Sequence, residues 1–260
     1  MTENAQRTAE HYMQLLSPLG NDIKLSIINS LSATLLKSET ERNSKPFRSF
    51  GMAKGKLHYP DDIDFSSLPE QFVMKCTHDS GLSLSICREK SRFDFIGAKE
   101  KAKKVMKYNY FAYTREWVYK NIRPRVIIEE YMQDGNSLSL PVYKFFTFGG
   151  KPKIVQVIQG DKTKYETIDY FDASWTRLNM RQNHPNSQTP LPRPERFDEM
   201  LSIATKLSAG IPHVRVDLYQ INGRVYFSEF TFYSDAGLAK FQPPEWDEIL
   251  GSWLELPAKD

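Results

Sequence analysis

The stretch that most constrains the fold is Ile211 to Gly237, IPHVRVDLYQINGRVYFSEFTFYSDAG. It alternates apolar and polar residues, breaks at Asn222-Gly223, and alternates again, the pattern of an antiparallel hairpin. Val214, Val216 and Leu218 point to one face, and Arg215, Asp217 and Tyr219 to the other. Two registers are open. A two-residue turn at Asn222-Gly223 pairs Asp217 with Ser228 and sends Glu229 to the opposite face. A three-residue loop of Ile221, Asn222 and Gly223, with Gly223 left-handed at a bulge, pairs Asp217 with Phe227 and Arg215 with Glu229. The expectation adopted is the second, which gathers one guanidinium and two carboxylates and brings Thr231 to the same side.

Two adjacent carboxylates repel unless a cation or proton lies between them. A divalent ion held there, with an arginine beside it, suits the phosphates of a nucleotide. The competing reading is a surface hairpin with an ordinary cross-strand salt bridge.

At 260 residues the chain has ample length for one large domain or two small ones. Its net charge of +3 permits anionic ligands without demanding nucleic acid. Cys76 and Cys87 are its only cysteines and lack CxxC spacing, which argues against a disulfide framework or structural zinc. No apolar run approaches the roughly 20 residues that span a bilayer, and the first residues lack signal-peptide character. A cytoplasmic location is expected.

Along the chain, Thr8 to Lys37 has helical spacing broken near Pro18 and Gly20, predicting two helices. Ser38 to Lys56 reads as a loop or linker. Strands are expected at Gln71–Lys75 and Leu84–Arg88, with a turn from Cys76 to Ser83 between them. Phe95 to Lys120 reads as helical, its lysine run as a solvated face. Arg125 to Met132 reads as a buried strand, and Val142–Phe148 with Lys153–Ile158 as a hairpin. Tyr170 to Pro194 is proline-rich and reads as a long loop able to cover a site. Glu195 to Ala209 is an amphipathic helix. Hairpins with sparse helices predict an α+β fold. The expected division is 1–60, a short helical region and linker; 61–132, a small lobe; and 133–260, a large lobe with the metal site.

Beside the hairpin, three pieces carry chemistry. Lys75 ends a strand and is followed by His78-Asp79-Ser80-Gly81, where a cation and backbone N–H groups could meet phosphate. Glu129-Glu130-Tyr131-Met132 ends an apolar strand in carboxylates and free backbone edges. Lys144 lies among aromatics in VYKFFTF, where a charge needs a partner. The first two have plain alternatives: a surface lysine and an acidic strand end.

Taken in order, LPEQFVMKCTHDSG, REWVYKNIRPRVIIEEYM, VYKFFTFGGKP, VRVDLYQINGRVYFSEFTFYSDAG and FQPPEWDEILGSWLELP resemble the ATP-grasp superfamily, and most of all its TupA-like branch, associated with teichuronopeptide and other surface polysaccharides. The resemblance spans about Ile63 to Pro257. It implies two antiparallel-sheet lobes clasping ATP, with Mg2+ as the second cofactor. Lys75 and Lys144 would contact phosphates, and the turn with His78, Ser80 and Gly81 would close over them. Glu129, Glu130, Tyr131 and Met132 would bind adenine and ribose. Asp217 and Glu229 would hold the metal, and Arg215, with Lys144, would act on the transferring phosphoryl group.

The implied reaction activates a carboxylate as an acyl phosphate for attack by an amine, on a small molecule or glycan precursor and in association with polysaccharide-biosynthesis enzymes. Nucleic acid is not an expected partner. A phosphotransferase acting on a glycan acceptor, and a nucleotide-binding protein without turnover, are the alternatives. Three positions depart from the usual pattern. Thr77 stands where the branch tends to have Asn, and Asp79 where Gly is usual. Thr231 replaces the asparagine that many ATP-grasp enzymes use as a metal ligand, a change the branch shares. The segment ahead of Ile63 is expected to be shorter than the α/β domain that usually precedes the ATP lobe.

Overall fold

The structure, a computed structural model, describes residues 55–135, 140–161 and 163–256. The helices expected over Thr8–Lys37, and most of the expected linker, lie outside the described residues. The fold is α+β, with two antiparallel sheets and few helices. The described chain forms two compact units, one running to Met132 and one starting at Gln133.

The first unit is a four-stranded sheet of β1 (Gly55–His58), β2 (Phe72–Cys76), β3 (Ser85–Cys87) and β4 (Val126–Glu130), in the order β1-β4-β2-β3. Phe72, Met74 and Cys76 alternate onto one face and are buried with Val126 and Ile128. They pack with Ala98, Ala102 and Val105 of helix α1 (Phe95–Val105), whose small residues let it lie close to the sheet. Asp94 caps α1 by accepting from Gly97 N–H at 2.8 Å. Val73, Lys75, Ile127 and Glu129 share the other face by register.

Two expectations change in this unit. Gly55 and Lys56 belong to β1 rather than to a linker, because they pair with Glu129 and Ile128. The helix predicted over Phe95–Lys120 is broken. Asn109 caps a second helix, α2 (Tyr110–Thr114), and Arg115 ends it in the left-handed region at φ 61°.

The second unit is a five-stranded sheet of β5 (Val142–Phe148), β6 (Lys151–Gln159), β7 (Thr167–Asp172), β8 (His213–Ile221) and β9 (Arg224–Thr231), in the order β7-β6-β5-β8-β9. Helix α3 (Phe197–Leu207) packs on β5, β6 and β8 with Phe197, Met200, Ile203, Ala204 and Leu207 buried. On the other face Val142, Phe146, Ile154, Ile158 and Ile168 form a core with Met180 and with Leu250 of helix α4 (Glu245–Ser252).

The long loop expected from Tyr170 to Pro194 is a strand followed by a strap. Tyr170 and Phe171 lie in β7, and Ile168, Asp169, Tyr170 and Phe171 are all buried, which hides the alternation that marks a one-sided strand. The strap stays on the β7 edge. Leu178 N–H donates to the Tyr170 carbonyl at 2.8 Å, and Trp175 stacks on Phe171 with ring centroids 4.2 Å apart. Buried Asp169 accepts from Arg177 at 2.6 Å and from Ser187 N–H.

The β8–β9 register differs from both simple readings. The turn is the two-residue form, with Ile221 opposite Arg224 and positive φ at Asn222 (50°) and Gly223 (70°). Left regular, that turn would set Asp217 against Ser228. Instead the ladder shifts between Leu218, which pairs with Phe227, and Asp217, which pairs with Glu229. Ser228 is the extra residue of a bulge, placed six residues from the turn's first residue rather than at Gly223. Arg215 consequently pairs with Thr231, not with Glu229.

Candidate nucleotide and metal site

The bulge brings one row of polar residues into line across the larger sheet. Tyr170, Gln156, Lys144, Asp217 and Glu229 are successive cross-strand partners on β7, β6, β5, β8 and β9. Directly opposed residues of antiparallel strands share a face, so all five side chains leave the sheet on one side. At about 4.8 Å per strand the row is roughly 19 Å long.

Its charged end is dense. Arg215 donates through Nε to Asp217 Oδ1 at 2.8 Å and through a terminal nitrogen to Asp217 Oδ2 at 2.9 Å, a two-point grip. The guanidinium also donates to Thr231 Oγ1 and Ser234 Oγ, each at 2.8 Å. Lys144 Nζ lies 3.5 Å from Asp217 Oδ2. Asp217 is 1% exposed and Arg215 8%. Burial alone would lower the Arg215 pKa, but the charge and hydrogen bonds of Asp217 hold it above its ordinary value. Glu229 is exposed at its end of the row.

The neutral end was not legible as a site. Gln156 Nε2 donates to the Tyr170 hydroxyl at 2.8 Å, which donates on to Gln182 Oε1 at 2.8 Å. Burial raises the Tyr170 pKa far above that of a free phenol. A lone glutamine in the apolar run Ile154-Val155-Gln156-Val157-Ile158 was the available signal, since a buried amide requires partners.

In the smaller sheet Lys75 and Glu129 are diagonal neighbours, with Nζ 2.7 Å from Glu129 Oε2. The turn after β2 is braced from inside. Cys76 N–H donates to buried Ser83 Oγ at 2.6 Å, and His78 Nε2 meets the Val105 carbonyl at 3.1 Å. That contact makes Nε2 the protonated nitrogen, and Nδ1 is buried with no hydrogen-bond partner among the described residues. His78 is 3% exposed and packs toward α1, the placement of a brace rather than of a group facing phosphate. Gly81 is exposed at φ 86°, and Ser80 is exposed beside it. Glu130 ends β4 exposed; Tyr131 and Met132 follow outside the ladder, and the Tyr131 hydroxyl accepts from Arg88 at 3.2 Å.

The TupA-like ATP-grasp profile matches residues 54–255, most of the chain. The chain belongs to the TupA-like ATP-grasp family. Among solved structures it is similar to D-alanine–D-alanine ligase from Helicobacter pylori, at 16% identity and TM-score 0.43, over 80% of this chain and 55% of that one. The ATP complex of the Bacillus anthracis D-alanine–D-alanine ligase matches at 13% identity and TM-score 0.38, over 70% of this chain and 48% of that one. The ATP-grasp ligase PsnB with minimal precursor, Mg and ADP matches at 9% identity and TM-score 0.36, over 79% of this chain and 54% of that one. This TupA-like ATP-grasp chain thus spans about half the length of the ligases it matches. A search of curated proteins finds no match.

The donor set can be tested against Mg2+. Among the described residues no three His, Cys, Asp or Glu side chains cluster as a self-sufficient metal cage. Mg2+ does not need one: it is commonly held by one or two carboxylates, with phosphate and water oxygens completing the octahedron. Asp217 and Glu229, opposed on one face, fit that requirement in this TupA-like ATP-grasp protein. Thr231 Oγ1 accepts from Arg215, as both Asp217 oxygens do, and a neutral hydroxyl adds no charge to the pair. No helix among the described residues is long and apolar enough to cross a membrane.

Proposed function

We propose that this protein is an Mg2+- and ATP-dependent carboxylate–amine ligase acting in the cytoplasm on precursors of surface polysaccharide, joining an amine or amino acid to a sugar-acid or amino-acid carboxylate. The observation that carries the reading is the opposition of Asp217 and Glu229 beside Arg215 and Lys144 in a member of the TupA-like ATP-grasp family. When bound, Mg2+ would offset phosphate charge and orient the nucleotide.

In this reading residues 61–132 act as the small lobe and 133–260 as the large one. Asp217 and Glu229 bind the metal. Arg215 and Lys144, relieved of Asp217, turn to the phosphates and stabilise charge on the transferring group. Lys75, Ser80 and Gly81 contact phosphate from the small sheet. Glu129, Glu130 and the backbone of Tyr131 and Met132 take the ribose and the adenine edge. Phosphoryl transfer to a carboxylate is mainly positioning and charge neutralisation, so no nucleophilic side chain is needed. The immediate product is an acyl phosphate, whose phosphate leaves when the amine attacks.

The experiment is a calorimetric titration with Mg·ATP, then assay of ADP and phosphate release across carboxylate and amine pairs, with mass spectrometry of the products. An amide product with one ADP and one phosphate supports the ligase. A phosphorylated, amide-free product would make it a phosphotransferase acting on a glycan or other hydroxyl acceptor. Binding without turnover across a broad panel would leave a nucleotide-binding protein.

A further inference from the structure

The cationic side chains assigned to phosphate are each engaged by one of the protein's own carboxylates. Arg215 and Lys144 face Asp217, and Lys75 faces Glu129. The third case involves the turn itself. Asp79 Oδ2 accepts from Ser83 N–H at 2.9 Å, and Asp79 Oδ1 accepts from Gly81 N–H at 3.3 Å. One carboxylate therefore spans two N–H groups of the turn that would close over phosphate, as a phosphate's oxygens would.

In the reading above, Asp217 has the metal to turn to and Glu129 has ribose hydroxyls. Asp79 has neither, and the only hydrogen bonds it makes among the described residues are those to Gly81 and Ser83. We propose that Asp79 acts as a built-in phosphate surrogate that occupies the turn's donors and sets nucleotide affinity by competing with the incoming phosphates. Resting on the nucleotide reading, this accounts for an acidic residue in a phosphate turn. While no anion is bound, the carboxylate satisfies N–H groups that would otherwise depend on water. When nucleotide binds, its charge opposes the phosphates. The turn is held in place by other contacts, namely Ser83 Oγ on Cys76 N–H and His78 on the Val105 carbonyl, so it does not depend on Asp79 alone.

The test is calorimetric binding of Mg·AMPPNP and, separately, of adenosine to the wild-type chain and to Asp79→Asn. The asparagine keeps an acceptor for the turn and removes the charge. The expected result is about three- to tenfold tighter AMPPNP binding by the variant, with adenosine affinity unchanged. Equal or weaker AMPPNP binding by the variant would overturn the proposal while the nucleotide reading stands. An equal gain for adenosine would also overturn it, since adenosine has no phosphate to compete. No AMPPNP binding by either protein would remove the nucleotide reading and this inference with it. If Asp79→Asn does not fold, Asp79→Ser, with a short neutral acceptor, is read by the same outcomes.

Discussion

Asp217 and Glu229 stand directly opposite one another on β8 and β9 although the turn joining those strands would by itself set Asp217 against Ser228. One extra residue, Ser228, in the β9 ladder moves Glu229 from the wrong face to the right one. A one-residue slip reverses the facing of every side chain beyond it. The bulge, not the turn, is therefore what assembles the carboxylate pair.

Asp217 also neutralises the buried Arg215. Asp217→Asn keeps the shape but leaves the guanidinium without its counter-charge, and should lower unfolding free energy by about 3 kcal/mol in urea melts. Glu229→Gln, at an exposed position, should change stability by less than about 1 kcal/mol. Equal losses in both variants would mean that Asp217 is not the counter-ion of Arg215.

Lys75 and Glu129 form a part-exposed pair. Lys75→Ala should leave the melting transition nearly in place, with a cost below about 1 kcal/mol, and weaken Mg·ATP binding. Outright unfolding would make this lysine a structural residue of the small sheet.

Much of this was legible in the residues. The hairpin pattern at Ile211–Gly237 and the acidic end of β4 appear where alternation and turn residues put them, and the strand expected to end at Lys75 runs one residue further, to Cys76, which pairs with Val126. What escaped was context. Thr167–Asp172 is buried on both faces, so β7 lacks the one-sided pattern that announces a strand. The bulge at Ser228 has no turn residue to mark it, and the sequence reading placed the irregularity at Gly223, where glycine makes it easiest. Gln156 and Tyr170 joined the polar row only when the sheet order set β6 beside β5 and β7 beside β6. His78 sits inside the turn because α1 presents the Val105 carbonyl to it, a tertiary contact that no local pattern encodes.

His213 is held below its ordinary pKa of 6.5 by burial first and by the Arg215 charge second, against the Thr147 carbonyl that accepts from Nδ1 at 2.9 Å. The folded state therefore binds fewer protons than the unfolded state just below pH 6.5. Its contribution to stability is present above that pH and is lost as pH falls toward the folded pKa. Urea midpoints should drop between pH 7.5 and 5.5, and His213→Gln should flatten part of that slope. An unchanged slope would put the acid sensitivity elsewhere.

Burial pushes the Cys76 thiol up to about 11 and raises that of Cys87 as well. Both are buried, and a protonated, inaccessible thiol is a poor nucleophile. At pH 8 a disulfide-exchange reagent should label neither cysteine in the folded protein and both in guanidinium. Rapid labelling of the native protein would contradict the packing of β2 against α1.

The most direct measurement is calorimetric titration of ATP with and without Mg2+ into the wild-type chain, Asp217→Asn and Glu229→Gln, below the melting temperature of each. The wild-type chain should bind more tightly with Mg2+, and both variants should lose most of that Mg2+-dependent gain. Mg2+-dependent affinity unchanged in both variants would contradict the assignment of Asp217 and Glu229 as the metal-bearing pair.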